Sequence, residues 1–461
     1  VSLDLKAEPI LDAALAKAGQ LAELFLEQTA GLTIVLDDNR IEKVLGGAEL
    51  GAGLRLIHDL STAYAVSNAV SQEGLLPLAQ SLAALARGPR VAPAPRQNLA
   101  PGLVSPILRP PRDADTAFKL ELVRAANAAA RAVDPRVRQV RVAYMEKIQR
   151  VRIVNSQGVD VEDFRTHLVF MVHCVAADQG EVQTGYESAG GLIGLELFDR
   201  QGPEEIARIA ARRAAMALTA RPAPGGSMPV VLHAEAGGTM VHEAVGHGLE
   251  ADLVLEGMSV YRDRVGQPVA SPLITVIDDA TLLGRRGSSG FDDEGAPSRR
   301  NVLIDRGVLQ GYMNDRLSCL KLGLEPSGNG RRESYRHRPI PRMTNTMIAP
   351  GDDDPEAIIA DTPSGLLVKK MGGGQVNTVN GDFVFEVAEG YLIDHGRVGE
   401  PVRGATLTGN GPQILMQIDR VASDLGFSLG TCGKDGQGSP VADAQPTLRI
   451  PQMVVGGVHQ G

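Results

Sequence analysis

The chain has no tryptophan, and aromatic residues of all kinds are only 3% of its 461 residues, which leaves little material for the stacked platforms that hold single-stranded nucleic acid. It is also short of cations. The 46 Lys and Arg against 55 Asp and Glu give a formal net charge of −9, which excludes a general polyanion binder. Cys174, Cys319 and Cys432 are too few and too scattered for a disulfide framework and fit a reducing compartment. No run approaches the roughly eighteen consecutive apolar residues that cross a bilayer. The opening VSLDLKAEPI carries acids where a secretory signal has bases ahead of an apolar run, so a cytoplasmic protein without membrane or nucleic-acid partners is expected.

What remains is ordinary globular usage, 43% hydrophobic and 22% charged, and enough length for two domains with cores of their own. The stretch 88–111 holds Pro89, Pro93, Pro95, Pro101, Pro106, Pro110 and Pro111, so it reads as a long surface connection. A helix opened by Pro203 places Ile206, Ile209 and Met216 at helical spacing and ends at the Pro/Gly-rich 221–227, where the domain boundary is expected. Before it, the pattern predicts strands at 32–36, 41–45, 54–57 and 63–66, helices at 75–87 and 114–133, and strands at 137–144, 151–154, 166–177 and 182–186. Beyond it, short strands are predicted at 230–233, 273–277, 302–304, 308–312, 366–369, 382–387 and 391–393. The expected class is α+β. An N-terminal domain (1–221) has an antiparallel sheet with helices on one side, and a mostly β C-terminal domain (227–461) carries a short distorted helix.

That helix holds the main chemical signal. Residues 237–252 contain His242, Glu243 and His247 as H-E-x-x-x-H, with Thr239 as the expected N-cap. Zinc-peptidase histidines four apart share a helical face, whereas five steps of about 100° leave these roughly 140° apart on a regular helix. A π-bulge would bring them together, and Gly246 and Gly248 mark where such a distortion is inexpensive. A catalytic zinc takes three protein ligands and leaves the fourth position open. Glu250 or Asp252 could supply the third from the same segment, and Cys432, in Gly-Thr-Cys-Gly-Lys-Asp-Gly, could supply it from afar; spacing alone does not choose.

MVHEAVGHGLEADL (240–253), RMTNTMIAPG (342–351), GGGQVNTVNGDFVFEVAEGYLI (372–393), VRGATLTGNG (402–411) and GTCGKDGQGSPVADAQPTLRI (430–450) together resemble the TldD branch of the TldD/PmbA metallopeptidase family. These blocks span most of 238–450; the N-terminal half is similar only in size and general pattern. The resemblance implies a metal, expected to be zinc (Zn2+), held by His242, His247 and Cys432, with Glu243 as the catalytic glutamate. None of the four positions departs from the pattern, which favours the active branch over the PmbA branch, which lacks the metal-binding set. The implied activity is a zinc-dependent peptidase acting on peptides or unfolded polypeptide segments, in which a glutamate base serves a metal-activated water. The implied assembly is with a PmbA-like paralogue or a second copy.

Gly372, Gly373 and Gly374 precede a strand-like segment and would let an extended substrate backbone lie close, or they form a flexible turn. His167 and His173 share a strand face and read as sheet histidines rather than ligands. Asp292-Asp293-Glu294 and Asp352-Asp353-Asp354 lack EF-hand spacing and read as exposed loop acids. Arg331, Arg332, Arg336 and Arg338 read as a solvated loop or a partner contact. Two rivals remain: a non-catalytic scaffold or binding subunit, which would not need Glu243 beside two histidines, and a thiol enzyme using Cys432, for which no local histidine pair is evident. A DNA-binding modulator is disfavoured by the acidic balance.

Overall fold

Long strands, rather than the short ones that hydropathy suggests, build the N-terminal half. The computed structural model describes residues 3–102 and 105–458. Strands β1 (Leu21–Asp37), β2 (Arg40–His58), β3 (Ser61–Ser67), β4 (Val137–Asn155), β5 (Asp160–Asp178) and β6 (Glu181–Leu192) form one antiparallel sheet in the order β3-β2-β1-β4-β5-β6. The predicted segments 137–144 and 151–154 are both parts of β4. Glu146, Lys147 and Gln149 break the apolar alternation between them, yet each is held in the sheet. Lys119 Nζ lies 2.9 Å from Glu146, Gln149 donates to Glu27 at 2.7 Å, and Lys147 Nζ lies 3.7 Å from Glu27.

Helices α1 (Glu8–Ala14), α2 (Gln72–Leu85), α3 (Thr116–Arg131) and α4 (Pro203–Thr219) cover one face of this sheet. Their starts follow from local chemistry. Ser71 accepts from the Gly74 N–H, Asp115 accepts from the Phe118 N–H at 2.8 Å, and Pro203 opens α4. Helices α1 and α2 pack on Leu24, Leu26, Leu54 and Leu56, while α3 and α4 pack on Val142, Leu168, Phe170 and Val172. The Pro-rich connection runs extended beside the sheet, with Ala94 N–H donating to Ser156 O and Gly102 N–H to Gly290 O.

The other face of the sheet meets the C-terminal half, and there two of the expectations above fail. Asp292, Asp293 and Glu294 are not exposed loop acids; all three are buried. Arg165 Nη1 donates to Asp293 at 2.6 Å, Arg55 donates to Glu294, and Asp292 accepts from the N–H groups of Glu294 and Ala296. Arg332 is no solvated base either: it lies wholly buried, 2.5 Å from Glu23 and stacked on the Phe25 ring, and Arg331 donates to Met343 O at 2.6 Å. Buried charges persist only when paired, and here the partners come from opposite halves of the chain. Arg336 and Arg338 do stay half-exposed, and Asp353 and Asp354 behave as loop acids, pairing with Arg420 and capping a helix. His167 and His173 share a face as expected; His167 is covered by the C-terminal half, and His173 is exposed beside Tyr186.

The C-terminal half is built from β7 (Gly226–Leu232), β8 (Val276–Asp279), β9 (Arg300–Asp305), β10 (Asn345–Ile348), β11 (Ser364–Val376), β12 (Asp382–Asp394), β13 (Arg397–Arg403), β14 (Thr406–Asn410), β15 (Gly426–Lys434), β16 (Gln437–Gln445) and β17 (Leu448–Gly456). One sheet runs β9-β8-β10-β16-β15, leaving β15 at its edge. The other runs β11-β7-β17-β14-β12-β13, and an added β11–β12 pairing closes β11 through β12 into a ring. The ring core of Val230, Leu232, Leu366, Val368, Phe385 and Ile450 receives Val241 and Val245 from the motif segment. Each of these two valines is fully buried and contributes about 1.5–3 kcal/mol, which anchors the motif between the ring and the edge sheet. No helix among the described residues is long and apolar enough to cross a membrane.

Candidate metal centre

The chain enters the motif through Gly237, whose φ of +72° only glycine adopts readily. Gly238, rather than the expected Thr239, is the N-cap of the first turn, Thr239–Val241. The Thr239 hydroxyl instead joins Ser428 in hydrogen-bonding the buried Asp443 carboxylate. Residues His242–Gly246 then form a π turn, with the His247 N–H donating to His242 O five residues back. This is the distortion that the H-E-x-x-x-H spacing demands. The extra residue brings the two imidazoles together, their ring centroids 5.2 Å apart and their planes at 88°.

The glycines of this turn do more than ease the backbone. Gly246 has φ −55°, open to any residue, but a Cβ there would lie 1.9 Å from the Met343 sulfur, and one at Gly248 would lie 2.7 Å from the Tyr261 ring. The turn is pressed against its neighbours too closely for a side chain.

Strand β15 supplies the third group. Cys432 Sγ lies 3.3 Å from His247 Nε2, and the donor atoms of His242, His247 and Cys432 all fall within 4.8 Å of one another. Glu243 Oε2 lies 4.0 Å from His247 Nε2. Glu250 and Asp252, the other candidates for a third ligand, are not among these donors. Glu250 takes a hydrogen bond from His247 Nδ1 at 3.0 Å, on the far side of the ring, and Asp252 takes one from Lys434 at 2.7 Å.

Electrostatics follow from the geometry. Burial acts to raise the Cys432 thiol, but hydrogen bonds and charge from His242 and His247 outweigh it and hold the thiol down at about 5. Cys174 and Cys319, buried without such neighbours, are pushed up to about 12. Burial raises Glu243 above its ordinary value, with the two imidazoles opposing. For Glu250, burial is overcome by His247, Lys434 and Arg342, which hold it near 2. The donor set suits a metal: a thiolate, two imidazoles, and a His242 Nδ1 that is buried with no hydrogen-bond partner.

The glycines 372–374 lie within β11 rather than in a turn, at a bulge where Met371 pairs with Val387 and Gly374 with Phe385. Strand β11 pairs with β7 only over Leu366–Val368, so past that point only its β12 side is paired. The motif spacing does not single out Lys434, Arg342 or Asp443, although all three fall in or beside the segments quoted above. Lys434 alone carried a local signal, since two residues after Cys432 on a strand means the same face.

Comparison with known proteins bears on this geometry. Family models described as PmbA/TldA metallopeptidase domain 1, central domain and C-terminal domain match residues 22–86, 109–218 and 225–457. A metalloprotease TldD homolog from Haemophilus influenzae is 36% identical, the alignment covering 95% of this chain and 93% of that one. A zinc metalloprotease TldD homolog from Saccharolobus solfataricus is 34% identical over 50% of this chain and 52% of its own length. The crystal structure of TldE from Thermococcus kodakarensis shares the fold, with a TM-score of 0.74 at 20% identity over 98% of this chain and 99% of that chain.

Proposed function

The chain belongs to the PmbA/TldD metallopeptidase family, and on that footing we propose that it is a zinc-dependent peptidase acting on peptides or unfolded polypeptide segments, with His242, His247 and Cys432 as the metal ligands and Glu243 as the general base. The observation that carries this reading is the convergence of three soft and borderline donors with Glu243 beside them. When bound, zinc polarises the scissile carbonyl and makes water easier to deprotonate. Glu243 takes the proton of the attacking water and returns it to the leaving amine. Burial raises its proton affinity, which suits a base that must take up a proton and hand it on. The open edge of β11 offers main-chain groups to an extended peptide. Folded proteins already use those groups internally, so unfolded segments are the substrates that fit. A PmbA-like paralogue or a second copy would complete the assembly, and three unpaired cysteines support a reducing, cytoplasmic setting.

One observation favours a second reading. Cys432 lies beside His247 with its thiol held low, the pairing a thiol nucleophile needs, though the side chain is buried and Glu243 would then have no task. The deciding experiment is hydrolysis of a disordered peptide. Loss on chelation and recovery with zinc support the metallopeptidase; activity that survives chelation but not alkylation overturns it.

A further inference from the structure

Both elements that carry the donors end in one buried ionic cluster. Glu250 is fully buried; its Oε2 accepts from His247 Nδ1 at 3.0 Å and from Lys434 Nζ at 3.1 Å, and its Oε1 faces Arg342 Nε at 3.9 Å. Lys434 also donates to Asp252 at 2.7 Å and to Pro341 O at 3.2 Å. Arg342, equally buried, donates to the backbone carbonyl of Cys432 and, at 3.2 Å, to Gln437 O. Two acids from the motif segment thus face two bases, Lys434 from β15 and Arg342 from just before β10, with Glu250 and Arg342 shut away from solvent.

The geometry points to Glu250 as a positioning residue for His247, locked by Lys434 and Arg342, so that the imidazole and the Cys432 sulfur are held in register before any metal arrives. This rests on the metal-site reading above. The physical reason is the tautomer. A carboxylate only accepts, so Nδ1 keeps a proton in every state and Nε2 is the nitrogen turned toward Cys432, the one that would give up its own proton to a metal. Lys434 lies two residues beyond Cys432 on the same face of β15, so the ion pair with Glu250 also sets how far that strand stands from the π turn. Arg342 fixes the Cys432 main chain from behind. Without the Glu250 charge, Lys434 and Arg342 would present uncompensated positive charge to an incoming dication.

The test compares wild type, Glu250→Gln and Glu250→Asp for zinc affinity by chelator competition, and for the absorption spectrum of the cobalt-substituted chain, with circular dichroism and melting of the metal-free proteins measured alongside. In Glu250→Gln the zinc dissociation constant should rise about 10–100-fold and the cobalt spectrum should change while the secondary structure persists; Glu250→Asp should recover part of the loss. A folded Glu250→Gln with wild-type zinc affinity and spectrum would overturn the inference, since a merely structural role would move only the melting point. Should Glu250→Gln fail to fold, the double variant Glu250→Gln/Lys434→Met removes both ends of the pair and is measured in the same way; wild-type zinc affinity there overturns the inference equally. A wild-type chain that binds no zinc would overturn the metal reading and this inference together, which separates the two failures.

Discussion

Replacing Gly246 with alanine tests why a glycine stands inside the π turn. The new Cβ would lie 1.9 Å from the Met343 sulfur and 3.0 Å from its methyl group. Ordinary contact needs about 3.5–4.0 Å, so the thioether must retreat by roughly 1.5–2 Å. Met343 is fully buried and its carbonyl is held by Arg331, which leaves only side-chain rotation within a filled core. Overpacking of this kind costs about 1–3 kcal/mol, while alanine gains up to about 1 kcal/mol over glycine in helical backbone. Packing therefore wins, and the net loss should reach up to about 2 kcal/mol in denaturant unfolding of the metal-free protein. Zinc affinity should fall with it, because His247 is the next residue. In a double-mutant cycle with Met343→Ala, the two substitutions should cost less together than their sum by about 1 kcal/mol or more. An alanine variant at least as stable as wild type, with no coupling to Met343, would refute the close-packing argument and leave backbone freedom as the reason for the glycine.

Four further outcomes are expected. Glu243→Gln should keep its zinc while peptide hydrolysis falls by about 10²-fold or more, measured by metal analysis and turnover on the same sample; undiminished turnover would remove Glu243 as the base. His242→Ala and Cys432→Ser should each lower zinc occupancy sharply with the fold intact by circular dichroism. In the metal-free protein, ultraviolet thiolate absorbance from Cys432 should persist from neutral pH down to about 5. Because the folded value lies below the ordinary 9.0, the stability this contributes is complete above 9 and is lost as pH falls toward 5, so Cys432→Ser should flatten the pH dependence of unfolding across that window. Arg332→Met should cost about 3–5 kcal/mol in denaturant unfolding, since Glu23 is left buried without its partner; a change below 1 kcal/mol would refute that pairing.

The local features of the centre were legible in the sequence because they are local. Two histidines five apart require an extra residue in the turn, and the π turn at His242–Gly246 supplies it. Helix starts at Ser71, Asp115 and Pro203 depend on neighbours within three residues and fall close to where the pattern places them. The buried charges were illegible for the opposite reason. Arg55 and Glu294 stand 239 positions apart, Arg332 and Glu23 309 apart, and no local pattern separates a paired buried acid from an exposed one. The same blindness cut β4 in two, since Glu146 and Gln149 look like loop residues until their partners are known.

The ribbon of Gly330–Arg331 paired with Ile340–Pro341 is flanked by two arginines with different allegiances. Arg332 reaches Glu23 in the N-terminal sheet, and ten positions later Arg342 grips the main chain of Cys432. A recombination event that swapped only the C-terminal half into another protein would carry Asp293, Glu294 and Arg332 along and leave Arg55, Arg165 and Glu23 behind. The two halves are therefore poor candidates for separate inheritance. Loss of Glu23 would strand Arg332 at one end of the same ribbon from which Arg342 holds the Cys432 main chain, so the N-terminal sheet is tied to a centre to which it supplies none of the proposed ligands.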